Sequence, residues 1–263
     1  MIPKAIHYCW FGRGKKSAQF QMCLDSWKKY LPEYQLKEWN EDNFDVNSVP
    51  YTKESYECRK WAYVTDYVRL YALYNEGGVY LDCDVEVLKP LDDFLGNTAF
   101  TGFEPGGCAL TGIMGSVKHG QWVEDLLRDY DGRHFVNGNG EMDMTMNTAY
   151  ADRVMKRKGM RLDQTEEDVP DYVHLYTWDY FCPMTWEGVL KLTANSHTIH
   201  HYVSSWLSWQ GRIARWFTMH GHGTVGYFVA YFLRRPDIVF WDLRDFLFIK
   251  VLGLKVKPHL SVN

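Results

Sequence analysis

Lys60-Trp61-Ala62-Tyr63-Val64-Thr65-Asp66-Tyr67-Val68-Arg69-Leu70-Tyr71-Ala72-Leu73-Tyr74-Asn75-Glu76-Gly77-Gly78-Val79-Tyr80-Leu81-Asp82-Cys83-Asp84 holds a helix, its stop, a strand and an acidic triplet in one register. Trp61, Val64, Val68, Tyr71 and the Leu73-Tyr74 pair recur at helical spacing, which predicts a helix over 56–75. Gly77 and Gly78 end it, because glycine takes the left-handed cap conformation at no steric cost. Val79-Tyr80-Leu81 then reads as a short apolar strand that delivers Asp82 and Asp84 at its end. Side chains two apart on an extended chain face one way, so these carboxylates can share a divalent cation while Cys83 points elsewhere. Hard oxygen ligands favour Mn²⁺ or Mg²⁺ over zinc. A solvated strand end is the bland alternative. A phosphoryl-accepting aspartate wants Thr or Val two residues past the second Asp, where Glu86 stands, and is set aside.

Elements alternate outward from this stretch. Upstream, a first strand over 5–10 closes on the Gly12-Arg13-Gly14 turn, a helix spans 17–30 before Pro32, and a second strand spans 34–39. Downstream, strands are predicted over 99–103, 109–114 and 197–203, with helices over 121–130 and 144–158. This order predicts an α/β fold with a mainly parallel sheet, in which ligands gather at the carboxyl ends of strands. Asp82 and Asp84 stand at such an end.

Composition narrows the class. Of 263 residues 46% are hydrophobic and 24% charged, which fits a packed globular chain and excludes disorder. Aromatics reach 16% with 11 Trp, a content that suits flat ligands such as bases and sugar rings. A net charge of −4 gives nucleic acid no general attraction. From Gln210 onward 8 Lys+Arg face 3 Asp, a surplus of +5 that leaves −9 for the rest. Six cysteines without a C-x-x-C pair indicate neither zinc nor a disulfide framework, so a reducing, cytoplasmic setting is expected. The chain lacks a signal-like start, and no apolar run approaches the roughly 20 residues of a membrane span. The basic, aromatic tail over 210–263 fits peripheral contact with an anionic membrane at the inner face of the cell membrane; helices packed on the catalytic domain are the alternative.

The quoted stretch resembles the D-x-D sugar transferases of glycosyltransferase family 32, which includes Och-type mannosyltransferases and bacterial capsule and lipooligosaccharide transferases. More distantly it resembles the catalytic cores of large clostridial glucosylating toxins. Ile2-Pro3-Lys4-Ala5-Ile6-His7-Tyr8-Cys9-Trp10-Phe11-Gly12 resembles the family's opening strand, which implies a donor-binding role for Cys9 and Trp10, with Trp10 stacked on the donor base. Such a contact is worth roughly 1–3 kcal/mol; a core tryptophan is the bland reading. Ser26-Trp27 matches the family as a structural feature. His200-His201-Tyr202-Val203-Ser204-Ser205-Trp206 resembles the family's His-rich, Ser-Trp segment, from which a histidine completes the metal shell. Adjacent strand residues face opposite sides, so one histidine reaches the metal. Spacing to Ser204 and Trp206 favours His201, the habit of the family favours His200, and both stand as candidates.

Residue by residue, the resemblance implies that Thr65 binds the donor, that Asp66 and Arg69 hold donor-sugar hydroxyls, that Asp82 serves the ribose, the sugar or the metal, and that Asp84 holds the metal. Ser204 and Trp206 would bind the donor, with Trp206 near the leaving phosphate. Taken alone, Asp66 and Arg69 read as a surface ion pair of about 0.3–0.5 kcal/mol. Thr111 stands where the family often has Asn, and Glu104, Asp143 and Asn147 are acceptor-side candidates. The resemblance further implies a GT-A type catalytic domain over 1–209 with a helical tail over 210–263, and Mn²⁺ or Mg²⁺ as cofactor. The expected reaction is retaining transfer of a hexose or N-acetylhexosamine from a UDP-sugar to a saccharide or lipid-linked saccharide acceptor, in cell-surface polysaccharide or glycolipid synthesis. A GDP-mannose donor, a non-catalytic carbohydrate binder on the same fold and a metal-dependent phosphodiesterase are the competing expectations.

Overall fold

A computed structural model of the protein describes residues 1–203, 207 and 209–220. The chain divides into two units, Met1–Trp206 and Leu207–Asn263. In the first unit the elements run β1 (Ala5–Cys9), α1 (Ala18–Tyr30), β2 (Gln35–Trp39), α2 (Pro50–Glu57), α3 (Trp61–Glu76), β3 (Gly78–Leu81), β4 (Val85–Val87), β5 (Ala99–Gly102), β6 (Ile113–Ser116), α4 (Gln121–Arg128), α5 (Asn147–Arg157), β7 (Glu167–Val169), β8 (Val173–Tyr176), α6 (Trp178–Phe181) and β9 (Thr198–His200). The second unit shows α7 (Trp209–Met219); the remainder of the expected membrane-associating tail lies outside the described residues. Among those residues no helix is long and apolar enough to cross a membrane.

The main sheet has seven strands in the order β2-β1-β3-β6-β5-β8-β7. β1 is parallel to β2 and β3, and β5 to β8, whereas β6 runs against β3 and β5 and β7 against β8. Strands β1, β2, β3, β5 and β8 therefore share one direction, and the α/β architecture expected from the sequence holds. A separate two-stranded sheet pairs β4 with β9, setting Val85 opposite His200.

Both faces of the sheet are covered, which explains the unbroken apolar run of β3. Val79 and Leu81 pack with Ile6, Phe20 and Trp27 under α1, while Tyr80 packs with Val64, Val68 and Met114 under α3. The double glycine does more than end α3. Gly77 sits at φ 69° and Gly78 at φ 108°, and a Cβ would lie 2.7 Å from the Lys118 nitrogen at the first and 2.8 Å from the Ala5 carbonyl oxygen at the second. Only glycine lets the chain turn here and pass this close to β1. Ser26 and Trp27, expected to be structural, are so: the Trp27 indole donates to the Val85 carbonyl at 2.7 Å, and Ser26 Oγ accepts from the Val87 N–H at 2.9 Å. Together they pin β4, the strand that follows the acidic triplet.

Several boundaries differ from expectation, among them the strand expected over 197–203, which ends at His200. The single helix expected over 56–75 is two, because Arg59 at φ 55° breaks it between α2 and α3. The strand expected over 109–114 begins only at Ile113; ahead of it Ala109 makes an isolated bridge with Phe103, and Thr101 Oγ1 donates to the carbonyls of Leu110 and Ile113.

Candidate active site

The helical spacing of Asp66 and Arg69 places them on one face of α3, and that face is covered. They are 9% and 5% exposed, so the surface ion pair is excluded. Arg69 Nη2 lies 2.9 Å from Asp66 Oδ1 and 3.4 Å from Asp82 Oδ1, while Nη1 donates to the Thr111 carbonyl at 2.7 Å. Its Nε and Nη2 also reach the carbonyl and hydroxyl of Thr65, and the guanidinium lies 4.7 Å from the centre of the Tyr80 ring. Thr65 thus steadies Arg69. The sheet makes this possible, because β3 runs beneath α3 and its last residues rise beside the Arg69 fork.

Each of three carboxylates has one oxygen held by the protein. Asp66 Oδ1 accepts from Arg69 and from the Asn147 amide, the latter at 2.7 Å. Asp82 Oδ1 accepts from the Tyr80 hydroxyl at 2.7 Å, and Asp84 Oδ2 from the Val203 N–H at 2.8 Å. The other oxygen of Asp66 and of Asp82 makes no hydrogen bond among the described residues, and Asp84 Oδ1 faces His200 Nε2 at 3.4 Å. Asp82, Asp84 and His200 each bring a ligand atom within 4.8 Å of the others. A Cβ on Gly112 would stand 3.3 Å from Asp82 Oδ2 and 3.5 Å from the His200 ring. That glycine keeps the space between them open. His200 Nδ1 is buried without a hydrogen-bond partner among the described residues. Two carboxylates, an imidazole and an uncrowded gap form a donor set that fits Mg²⁺ or Mn²⁺.

The electrostatics follow from burial. Desolvation pushes the Asp66 carboxyl up to about 7, with Arg69 opposing it. Burial would raise Asp84 as well, but the facing His200 and the Val203 N–H outweigh it and hold that carboxyl at about 2. Burial works against charge on His200, yet Asp84 overcomes it and raises the imidazole above its usual range. Arg69 stays charged for a like reason: desolvation is outweighed by Asp82, Tyr80 and Asp66.

Of the two histidine candidates the geometry groups His200 with the aspartates. His201 instead sets Nε2 2.9 Å from Glu86 Oε2. The β4–β9 register decides this, since His200 faces Val85 and adjacent residues point to opposite sides. Cys9 is buried at the end of β1, and its carbonyl accepts the Cys83 thiol at 3.2 Å, which turns Cys83 away from the aspartates. Trp10 is half-buried, stacked on Phe20 at 5.3 Å with its indole N–H on the Gly14 carbonyl at 2.8 Å. Ser204 and Trp206 lie outside the described residues.

The acceptor-side candidates separate. Asn147, the first residue of α5, joins Asp66 and also accepts the Thr111 hydroxyl at 3.1 Å. Nothing in its spacing announced this contact. Asp143 is taken by Arg133 at 2.9 Å and the Tyr150 hydroxyl at 2.7 Å and holds the loop before α5. Burial raises the Glu104 carboxyl, which also senses the charges of His200 and Asp82. A cavity of about 20 Å³ beside Asp66, Arg69, Thr111 and Asn147 is water-sized. A wider groove of about 530 Å³, lined by Cys108, Ala149, Asp152, Arg153, Lys156 and Arg157, carries none of these side chains.

Comparison with known proteins bears on this constellation directly. Residues 17–101 match the family model described as a glycosyltransferase sugar-binding region containing the DXD motif. This stretch is similar to the sugar-binding region of DXD glycosyltransferases. The DXD of the region is Asp82-Cys83-Asp84, and Asp66 and Arg69 fall inside it as well. Inositol phosphoceramide mannosyltransferase 2 of Schizosaccharomyces pombe (strain 972 / ATCC 24843) is 28% identical over 140 residues, 50% of this chain and 39% of the relative. The chain thus spans about two fifths of that relative's length. Among solved structures, PaToxG glycosyltransferase is 17% identical with a TM-score of 0.43, covering 62% of this chain and 76% of that one. A glycosyltransferase involved in glycosylation of the major capsid of PBCV-1 is 12% identical with a TM-score of 0.44, covering 77% and 95%.

Proposed function

We propose that the chain is a metal-dependent glycosyltransferase that moves a sugar from a nucleotide-sugar donor to a glycan acceptor. The observation that carries this reading is the convergence of Asp66, Arg69, Asp82 and Asp84 from the DXD region with His200 from β9, each carboxylate keeping one oxygen for a ligand.

Asp82, Asp84 and His200 are the residues that would hold the cation, whose chemistry when bound is Lewis-acid neutralisation of the charge growing on the departing diphosphate. Arg69 adds a fixed cation in a buried setting, where a preoriented charge acts more strongly than in water. Asp66 Oδ2 and the Asn147 amide offer an acceptor and a donor for sugar hydroxyls, which fixes the pose of the transferred ring. Trp10 is the platform for the donor base. Glu104, in the loop after β5, senses the charges of His200 and Asp82 and is the carboxyl we assign to the acceptor hydroxyl. Retention of anomeric configuration is the stereochemical outcome the family resemblance supports.

A UDP-sugar carrying a hexose or N-acetylhexosamine is the donor we favour, because the Trp10 pattern resembles that of UDP-sugar users. GDP-mannose is the second reading, favoured by the mannosyltransferase relative. The same relative, whose name couples a mannosyl transfer to a ceramide lipid, and the basic tail support a lipid-linked acceptor at the inner face of a membrane. A thermal-shift screen of UDP- and GDP-sugars with and without Mn²⁺ tests the donor, since a ligand bound only by the folded state raises stability with its occupancy. Stabilisation by a nucleotide-sugar that requires Mn²⁺ is expected; a chain stabilised by none of the donors would overturn the reading.

A further inference from the structure

The turn after β9 contains a residue whose conformation its own chemistry disfavours. Tyr202 stands at φ 51°, a region that glycine, asparagine and aspartate enter readily and a bulky side chain does not. It is buried, 6% exposed. Its ring lies 4.2 Å from the His200 ring at 39°, its hydroxyl meets the Cys182 sulfur at 3.1 Å, and Trp186 approaches it edge-on at 5.6 Å. Backbone strain of this kind costs about 1–3 kcal/mol and persists only where the surroundings over-determine it.

The turn changes what the next amide does. Through His200 the chain follows the β4–β9 ladder, and the His201 N–H still donates to the Asp84 carbonyl at 3.0 Å. The left-handed residue then reverses the chain, so that the Val203 N–H donates to the Asp84 side chain at 2.8 Å instead of extending the sheet. That bond occupies Oδ2 and leaves Oδ1 as the oxygen facing His200 at 3.4 Å. A metal-binding histidine is ordinarily oriented by a hydrogen bond from its second ring nitrogen. His200 Nδ1 makes none among the described residues, and the groups that meet this imidazole are Asp84, the Tyr202 ring and the Cys182 thiol. One residue therefore acts on two ligands, through its backbone on Asp84 and through its ring on His200.

We propose that Tyr202 is a positioning residue for the cation site, its left-handed backbone choosing the Asp84 oxygen that faces the ion and its ring fixing the His200 imidazole. This rests on the reading of the site as a cation-dependent glycosyltransferase. The test is calorimetric titration of Mn²⁺ into the full chain without donor, for the wild type and for Tyr202→Phe, Tyr202→Asn and Tyr202→Gly. Phenylalanine keeps the ring and should bind Mn²⁺ like the wild type. Asparagine and glycine accept the left-handed backbone but remove the ring, and should bind about 10–100-fold more weakly, the usual cost of losing an outer contact to a metal ligand. Where circular dichroism shows that the small variants do not fold, Tyr202→Leu keeps apolar volume without the ring, and the same weakening is expected. Wild-type affinity in the ring-deleted variants, or equal loss in Tyr202→Phe, overturns the role of Tyr202 alone. A wild-type chain that binds neither Mn²⁺ nor Mg²⁺ overturns the glycosyltransferase reading and this role with it.

Discussion

Asn147 donates its side-chain amide to Oδ1 of Asp66 at 2.7 Å, across 81 residues of chain. The contact ties the start of α5 to the middle of α3 and leaves Asp66 one oxygen for a sugar. Asn147→Ala removes a hydrogen bond to a charged group, worth about 1.5–3 kcal/mol, so kcat/KM for the donor should fall roughly 10–100-fold. Donor-dependent kinetics on a variant with unchanged circular dichroism check it; an unaltered kcat/KM would place Asn147 outside donor recognition.

Arg69 reaches Asp66, Asp82 and the Thr111 carbonyl with one planar fork. Lysine carries the charge but not the fork. Arg69→Lys leaves buried partners incompletely satisfied, and breaking a buried pair costs about 3–5 kcal/mol, so a clear fall in unfolding midpoint should accompany loss of activity. Urea denaturation measures it. A variant as stable as the wild type would mean that the fork does not organise the site.

Asp66 makes stability depend on pH. Burial raises its folded pKa to about 7, above the ordinary aspartate value of about 3.9 in an unfolded chain. Between these values the folded state binds the extra proton, so this contribution is complete below about pH 4 and is lost as pH rises through 7. In metal-free protein, Asp66→Asn should therefore flatten the decline in unfolding free energy between pH 5 and 8. Equal slopes for variant and wild type across that window would show that Asp66 is not raised.

Trp27 is fully buried, and its indole holds the Val85 carbonyl. Trp27→Ala should cost about 3–5 kcal/mol of stability and loosen β4 behind the aspartates. Hydrogen exchange should show faster exchange at Val85 and Val87 than at residues of α4; a uniform change across the sheet would speak against a local clamp.

Much of this site is written in short-range pattern. The helical spacing of α3, the double glycine and the apolar run before Asp82 are local features, and each holds in the structure. What the sequence left open depends on contacts between distant segments. The choice between His200 and His201 turns on how β9 pairs with β4, more than 100 residues away in sequence and set by core packing rather than by either strand's composition. Asn147 reaches Asp66 only because α5 docks beside α3, and polarity alone marked it no more than its neighbours. The break at Arg59 was masked because helical periodicity continues on both sides of it. The left-handed Tyr202 runs against every local preference, so a sequence pattern reads straight through it as strand.

The most direct measurement is release of nucleoside diphosphate from a panel of UDP- and GDP-sugars, with and without Mn²⁺, by the wild type and by Asp84→Asn. Diphosphate release from at least one donor, dependent on the cation and reduced by about 100-fold or more in the variant, is expected. Nucleoside monophosphate as the product, no release from any donor, or an Asp84→Asn chain as fast as the wild type would contradict it.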